Sequence, residues 1–272
     1  MAGTDRASDA VDWLGDRLAV APEDRPGPID WFDHPRAVTV VVTIALAGLV
    51  YGWAQLVGVG VSVGFLLIDL PQPVVIGVLL LAIEIGGFGV ASLVYVLVRN
   101  LDRAQLRLRL PGLYDLAWIV VGTGTAVIVI IAVGLIAVAF GVQPSSHEIQ
   151  QIGEDSPAVF LVGALLSIPV IGAMEELFYR GIVQGTLDAV LPVPAAIGIA
   201  SVCFALVHIP SYLFSEGATL GGATVSIAVL VLLGVVLGTS YELSDNLVVP
   251  IVIHGAFNAF QFLLAFLRMT IV

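Results

Sequence analysis

The chain has 272 residues, of which 59% are hydrophobic and 11% charged, and its formal net charge is -11. A soluble core of this size cannot bury that much apolar surface, so lipid has to take the remainder. The acidic balance also excludes a nucleic-acid partner, because phosphate binding needs basic patches that the sequence lacks.

Residues 1–36 hold eight acids and four arginines. With no basic n-region and no early apolar stretch they do not read as a cleavable signal, so the first membrane helix is expected to act as its own signal. They are expected to form an acidic cytoplasmic tail, with residues 37–272 as one transmembrane domain. Charge-free runs long enough to cross a hydrocarbon core, which takes about 20 helical residues, then predict an all-α, polytopic transmembrane helix bundle of about seven to eight helices. The expected crossings are Ala37–Val57, Val74–Val98, Leu116–Phe140, Pro157–Leu187, Ala195–Phe214, Ala223–Tyr241 and Asn246–Leu267. The first run continues without charge to Ile68 and leaves room for a bend or re-entrant turn, and the fourth is too long for one straight crossing.

Arginines stay on the cytoplasmic side of a membrane. Arg6, Arg17, Arg25 and Arg36 precede the first run, and Arg99, Arg103, Arg107 and Arg109 lie between the second and third. Both segments are therefore expected in the cytoplasm. The loops around Asp69 and from Val142 to Asp155 hold only acids among their charged residues, apart from His147, which fits an N-in, C-out chain. Leu106 to Leu110, alternating leucine and arginine, reads equally as an interfacial segment with arginines at headgroups or as a stop-transfer flank. Glycine pairs such as Gly48 with Gly52, Gly181 with Gly185 and Gly234 with Gly238 suit close helix contact in lipid. The single cysteine, Cys203, sits in an apolar run and reads as a small core residue.

Ionisable side chains at membrane depth are costly and therefore informative. They are Glu84, Glu175, Glu176, Arg180, His208 and His254, and five of the six fall in the last hundred residues. In EELFYRG, Glu176 and Arg180 are four apart and share a helix face, while Glu175 points about 100° away. Arg180 can neutralise Glu176 and leave Glu175 free to face a polar cavity. FALVHIP puts Phe204 and His208 one turn apart, with Pro210 bending the chain beyond, and HGAFN does the same for His254 and Asn258. Each motif alone is explicable as structure: a buried ion pair, a satisfied core histidine, a pair of interhelical hydrogen bonds. Two glutamates, two histidines and an asparagine on three helices supply a base and oxyanion donors, or else a metal site, beyond what packing requires. Glu84 lies beside Gly86, Gly87 and Gly89 and reads as a structural glutamate at least as well as a functional one, so it stays outside the catalytic set.

EELFYRG, FALVH and HGAFN, in this order on successive apolar runs, resemble the three motifs of the CAAX prenyl protease and bacteriocin-processing (CPBP) family of intramembrane peptidases. The likeness spans Glu175 to Asn258, with the catalytic motif region at 157–267. It implies an all-helical membrane protease whose site lines a cavity open to cytosol and bilayer, and a membrane-associated peptide or protein substrate surrounded by lipid. It further implies that Glu175 activates water, His208 helps hold it, and His254 with Asn258 stabilises the oxyanion, with Glu176 and Arg180 in support.

The family is commonly described as metalloproteases, and Glu175, His208 and His254 are the ligand set of a His₂Glu zinc site. The inventory leans slightly towards no tightly bound metal, because a zinc role for Glu175 leaves only Glu176 as base, and zinc stays as the alternative. Counting from the outer end of each run puts Glu175 about 18 residues down and His208 near the top. A shared site then needs a kink or tilt, which Pro169 allows. Two other readings are a non-catalytic binding or immunity protein of the same fold and an ion or proton transporter relaying through Glu84, Glu175 and the histidines. The expected location is the cell membrane with the N-terminus in the cytoplasm, and the all-arginine, acidic composition resembles that of proteins from salt-loving archaea.

Overall fold

The computed structural model describes residues 36–147, 149, 151–152 and 156–271. The acidic tail expected before Arg36 and the Glu148, Glu154 and Asp155 acids of the expected outer loop lie outside these residues. Of the described residues 81% are helical and none forms a strand. This is the polytopic all-α bundle that the apolar runs predict.

The helices in chain order are α1 (Arg36–Phe65), α2 (Gln72–Arg99), α3 (Leu113–Ala139), α4 (Ala158–Asp188), α5 (Val193–Leu206), α6 (Ile209–Leu213), α7 (Leu220–Ser244) and α8 (Val248–Ile271). Six of them are long and apolar enough to cross a membrane. α1 is one continuous helix, so its charge-free run hides no re-entrant turn before Phe65. Its outward residues, such as Leu49 and Leu56, are exposed on the bundle surface, as side chains that face lipid are. α2 closes on Asn100 in the left-handed conformation, a position that asparagine tolerates.

The expected fifth crossing, Ala195–Phe214, is instead two helices. α5 stops at Leu206, and Pro210, which has no N–H to continue the ladder, falls in the first turn of α6. His208 therefore sits in the turn between them rather than on a helix.

α2 and α4 each carry π-helical stretches. In α2 the stretch is Ala82–Gly89, around Glu84. In α4, Ser167–Gly172, which contains Pro169, and Leu177–Gln184 flank the ordinary turn Ala173–Glu176. An extra residue per turn locally re-aims side chains and is often found at functional sites.

Glycine then decides where helices touch. A Cβ on Gly255 of α8 would meet Ile168 Cα at 2.5 Å, and one on Gly172 of α4 would meet the Ile251 carbonyl at 2.7 Å. These two glycines let the α4 and α8 backbones meet within a turn of His254 and Glu175. Gly87 plays the same part between α2 and α1, against Ala54. Of the pairs expected from spacing, Gly234 and Gly238 pack on Ser201 and Ile197 of α5, whereas Gly48 and Gly52 face nothing within 4 Å.

The core lies around α4, where Phe88, Phe178, Tyr179 and Phe204 form tilted or edge-on ring pairs at 5.1 to 6.0 Å. At one end of the bundle the 100–112 loop plugs the base. Leu106 is buried, and Arg107 reaches Glu242 at 3.0 Å, Asp245 at 3.4 Å and Asp188 at 3.7 Å. Arg109 makes a forked pair with Asp115 at 2.6 and 2.9 Å. The segment thus docks on acids of the bundle. At the other end, residues of the 140–157 loop bond to α2, α7 and the turn before α7.

Candidate active site

Glu175 and Glu176 occupy the short ordinary turn of α4, so their angular separation is that of an α-helix and Glu176 keeps Arg180 on its own face. Arg180 Nε donates to Glu176 Oε2 at 2.8 Å, and both side chains are fully buried. Glu176 has a second duty that the motif spacing did not disclose. Its Oε1 lies 2.9 Å from His254 Nδ1. A carboxylate only accepts, so the Nδ1 proton is on His254, and Nε2 is turned towards Glu175 Oε2 at 3.8 Å.

His208 Nδ1 lies 2.8 Å from the Phe204 carbonyl. The carbonyl can only accept, which places the proton on Nδ1 and leaves Nε2 as the atom available to a ligand. The Phe204 ring sits between the two imidazoles, with centroids 5.0 Å from His208 and 5.5 Å from His254. It spaces two polar rings across an apolar wall.

One cavity of about 440 Å³ is lined by Glu175, His208, His254 and Asn258 together. The depth difficulty disappears when residues are counted from the turn that joins α4 to α5. Glu175 is 13 residues before Asp188 and His208 is 15 residues after Val193, so at 1.5 Å per residue both stand about 20 Å above that turn. α4 is long at the end away from that turn, and the shortness of α5 compensates.

The cavity also collects residues left out of the expected set. Glu84 lines it, 5% exposed. So does His147 of the 140–157 loop, whose ring packs 5.1 Å from Tyr212 and 6.5 Å from His208. Burial, and then the neighbouring His208, push His147 down to about 4 from 6.5. Its Nδ1 accepts from Ile149 N–H at 3.2 Å, as an unprotonated nitrogen must. The available signal was that the chain has four histidines and this one stood alone among acids in its loop. From mid-bundle the cavity extends through Ser62, Ile76 and Ile152 to the end opposite the Arg107 plug.

The zinc alternative requires Glu175, His208 and His254 to converge on one point. Among the described residues no three His, Cys, Asp or Glu side chains are grouped so that they could hold a metal ion. His254 offers only Nε2, because Nδ1 is taken by Glu176. The residues as placed do not fit a zinc site, and no step is derived through one.

Residues 156–260 match a family model described as Type II CAAX prenyl endopeptidase Rce1-like. No curated protein and no solved structure matches the chain. The family match supports an intramembrane endopeptidase of the CAAX-protease kind in general, and a membrane-associated substrate fits the apolar helices around it. The matched residues carry Glu175, His208, His254 and Asn258, and their similarity to the Rce1-like model is consistent with the CPBP family.

Proposed function

We propose that the chain hydrolyses a peptide bond near the end of a membrane-associated substrate, with water activated at Glu175 and His208. The observation that carries this reading is the single cavity shared by Glu175, His208, His254 and Asn258. Glu175 Oε2 is buried and makes no hydrogen bond, so it is free to take a proton from water. His208 Nε2, freed by the Phe204 carbonyl, holds that water. As the carbonyl carbon becomes tetrahedral, His254 Nε2–H and the Asn258 amide donate to the oxyanion. Glu176 supports this by accepting at Nδ1, so that a proton on Nε2 leaves His254 a donor at both nitrogens. Arg180 neutralises what remains of the Glu176 charge. The 37–272 segment acts as one unit in this reading, since Glu84 of α2 and Tyr51 of α1 complete the cavity wall that the 156–260 helices begin.

Eight arginines at or before the 100–112 end, against Arg268 alone near the other, favour placing that end in the cytoplasm. The cavity reaches the opposite end, so this orientation and the cytosol-facing cavity that the family resemblance implies exclude one another. We adopt the arginine-based orientation, because it rests on this chain's own residues. The peptidase itself is tested by cleavage of a peptide library by the purified protein in detergent. Cleavage that Glu175→Gln abolishes supports the reading, and cleavage equal in both proteins removes it.

A further inference from the structure

We propose that Glu84 is the general acid of this reaction, its carboxylic proton passing to the leaving nitrogen as the peptide C–N bond breaks. This rests on the peptidase reading above and adds a residue that lies outside residues 156–260.

Glu84 is 15 residues before the end of α2 at Arg99, which sets it about 22 Å above the plugged end of the bundle. That is the level of Glu175 and His208. The π-helical turn around it and two glycines bring it there. Gly87 lets α2 close on Ala54, and Gly89 lets it close on Met174, the residue before Glu175. Glu84 lines the same cavity as Glu175.

The Oε2 atoms of both glutamates are buried without a hydrogen-bond partner. Two ionised carboxylates in one low-dielectric cavity repel strongly, and Arg180 is committed to Glu176. The pair therefore keeps one proton. His254 Nε2 stands 3.8 Å from Glu175, whereas among the described residues no ion-pair partner reaches Glu84, so we assign the shared proton to Glu84. A site with one carboxylate base and one carboxylic acid has both proton transfers that amide hydrolysis needs. Tyr179, whose hydroxyl is also buried without a hydrogen-bond partner, does not line the cavity.

The protons balance. Glu175 takes one from water as the C–O bond forms, and Glu84 gives one to nitrogen as the C–N bond breaks. The proton on Glu175 then returns to Glu84, leaving a carboxylic acid and an amine as products and both glutamates as they began.

An amide needs its nitrogen protonated to leave, whereas a p-nitrophenyl ester of the same acyl peptide does not. Glu84→Gln is expected to lower kcat for the amide at least about 100-fold and for the ester less than about threefold, while Glu175→Gln loses both. Equal slowing of amide and ester by Glu84→Gln, or no slowing of either, overturns the role. Should Glu84→Gln give no folded protein, Glu84→Asp carries the same comparison, because a withdrawn acid must slow the amide more than the ester. A wild-type protein that cleaves neither substrate removes the peptidase reading and this role with it. Amide cleavage by wild type with no selective loss in Glu84→Gln removes this role alone.

Discussion

Adjacent glutamates are given opposite circumstances by one residue of helical rotation. Glu176 is held by Arg180 and His254, while Glu175 Oε2 has no hydrogen bond at all. Glu175→Gln is accordingly expected to cut the cleavage rate by about 10²- to 10⁴-fold with an unchanged melting curve in detergent. Arg180→Ala should do the reverse of sparing the fold. It strands Glu176 in a buried setting, which costs about 3 to 5 kcal/mol, to be read as a lower unfolding midpoint; an unshifted midpoint would show that the pair is not structural. His147 gives a pH prediction. Its folded value is pushed down to about 4 from 6.5, so between those values the unfolded loop binds a proton that the folded one refuses. Stability of the 140–157 loop should fall as pH drops from about 6.5 towards 4 and stay flat above that window. Limited proteolysis across this range measures it, and His147→Gln should remove the dependence.

At the scale of elements, the site depends on how closely α8 approaches α4. His254 reaches Glu176 because Gly255 and Gly172 leave no side chain between the two backbones. Gly255→Ala puts a methyl where Ile168 Cα already stands, so α8 must shift, at a cost of about 1 to 3 kcal/mol. Because His254 moves with it, activity should fall further than stability does. Gly48→Ala, which meets nothing within 4 Å, is the control that should leave activity unchanged and not lower stability. If the two variants behave alike in a paired melt and cleavage assay, the contact is not what positions His254.

Across the whole molecule, the cavity and the arginine plug lie at opposite ends, which makes the orientation measurable apart from catalysis. In Cys203→Ser protein, Ser146→Cys should react with a membrane-impermeant maleimide on intact cells, whereas Gln105→Cys should react only after lysis. The opposite pattern would turn the cavity to the cytosol. Cys203 is the single cysteine of the sequence, so its replacement leaves no labelled background.

The apolar runs by themselves determined an all-helical membrane bundle, since backbone in lipid must satisfy its own hydrogen bonds. They also determined the pairing of Glu176 with Arg180, because four-residue spacing on a helix fixes a shared face whatever surrounds it. The tertiary structure alone decided three things that span distant parts of the chain. The break of the fifth run at Pro210 put His208 in a turn, level with Glu175. Gly255 and Gly172, not the regularly spaced glycine pairs, became the close contact that hands His254 to Glu176. Glu84 and His147, left aside because neither belongs to a local motif, joined the cavity wall. Local spacing specifies faces of one helix, whereas depth and neighbours follow from where helices start, stop and touch, and the short-range pattern of residues does not carry that information.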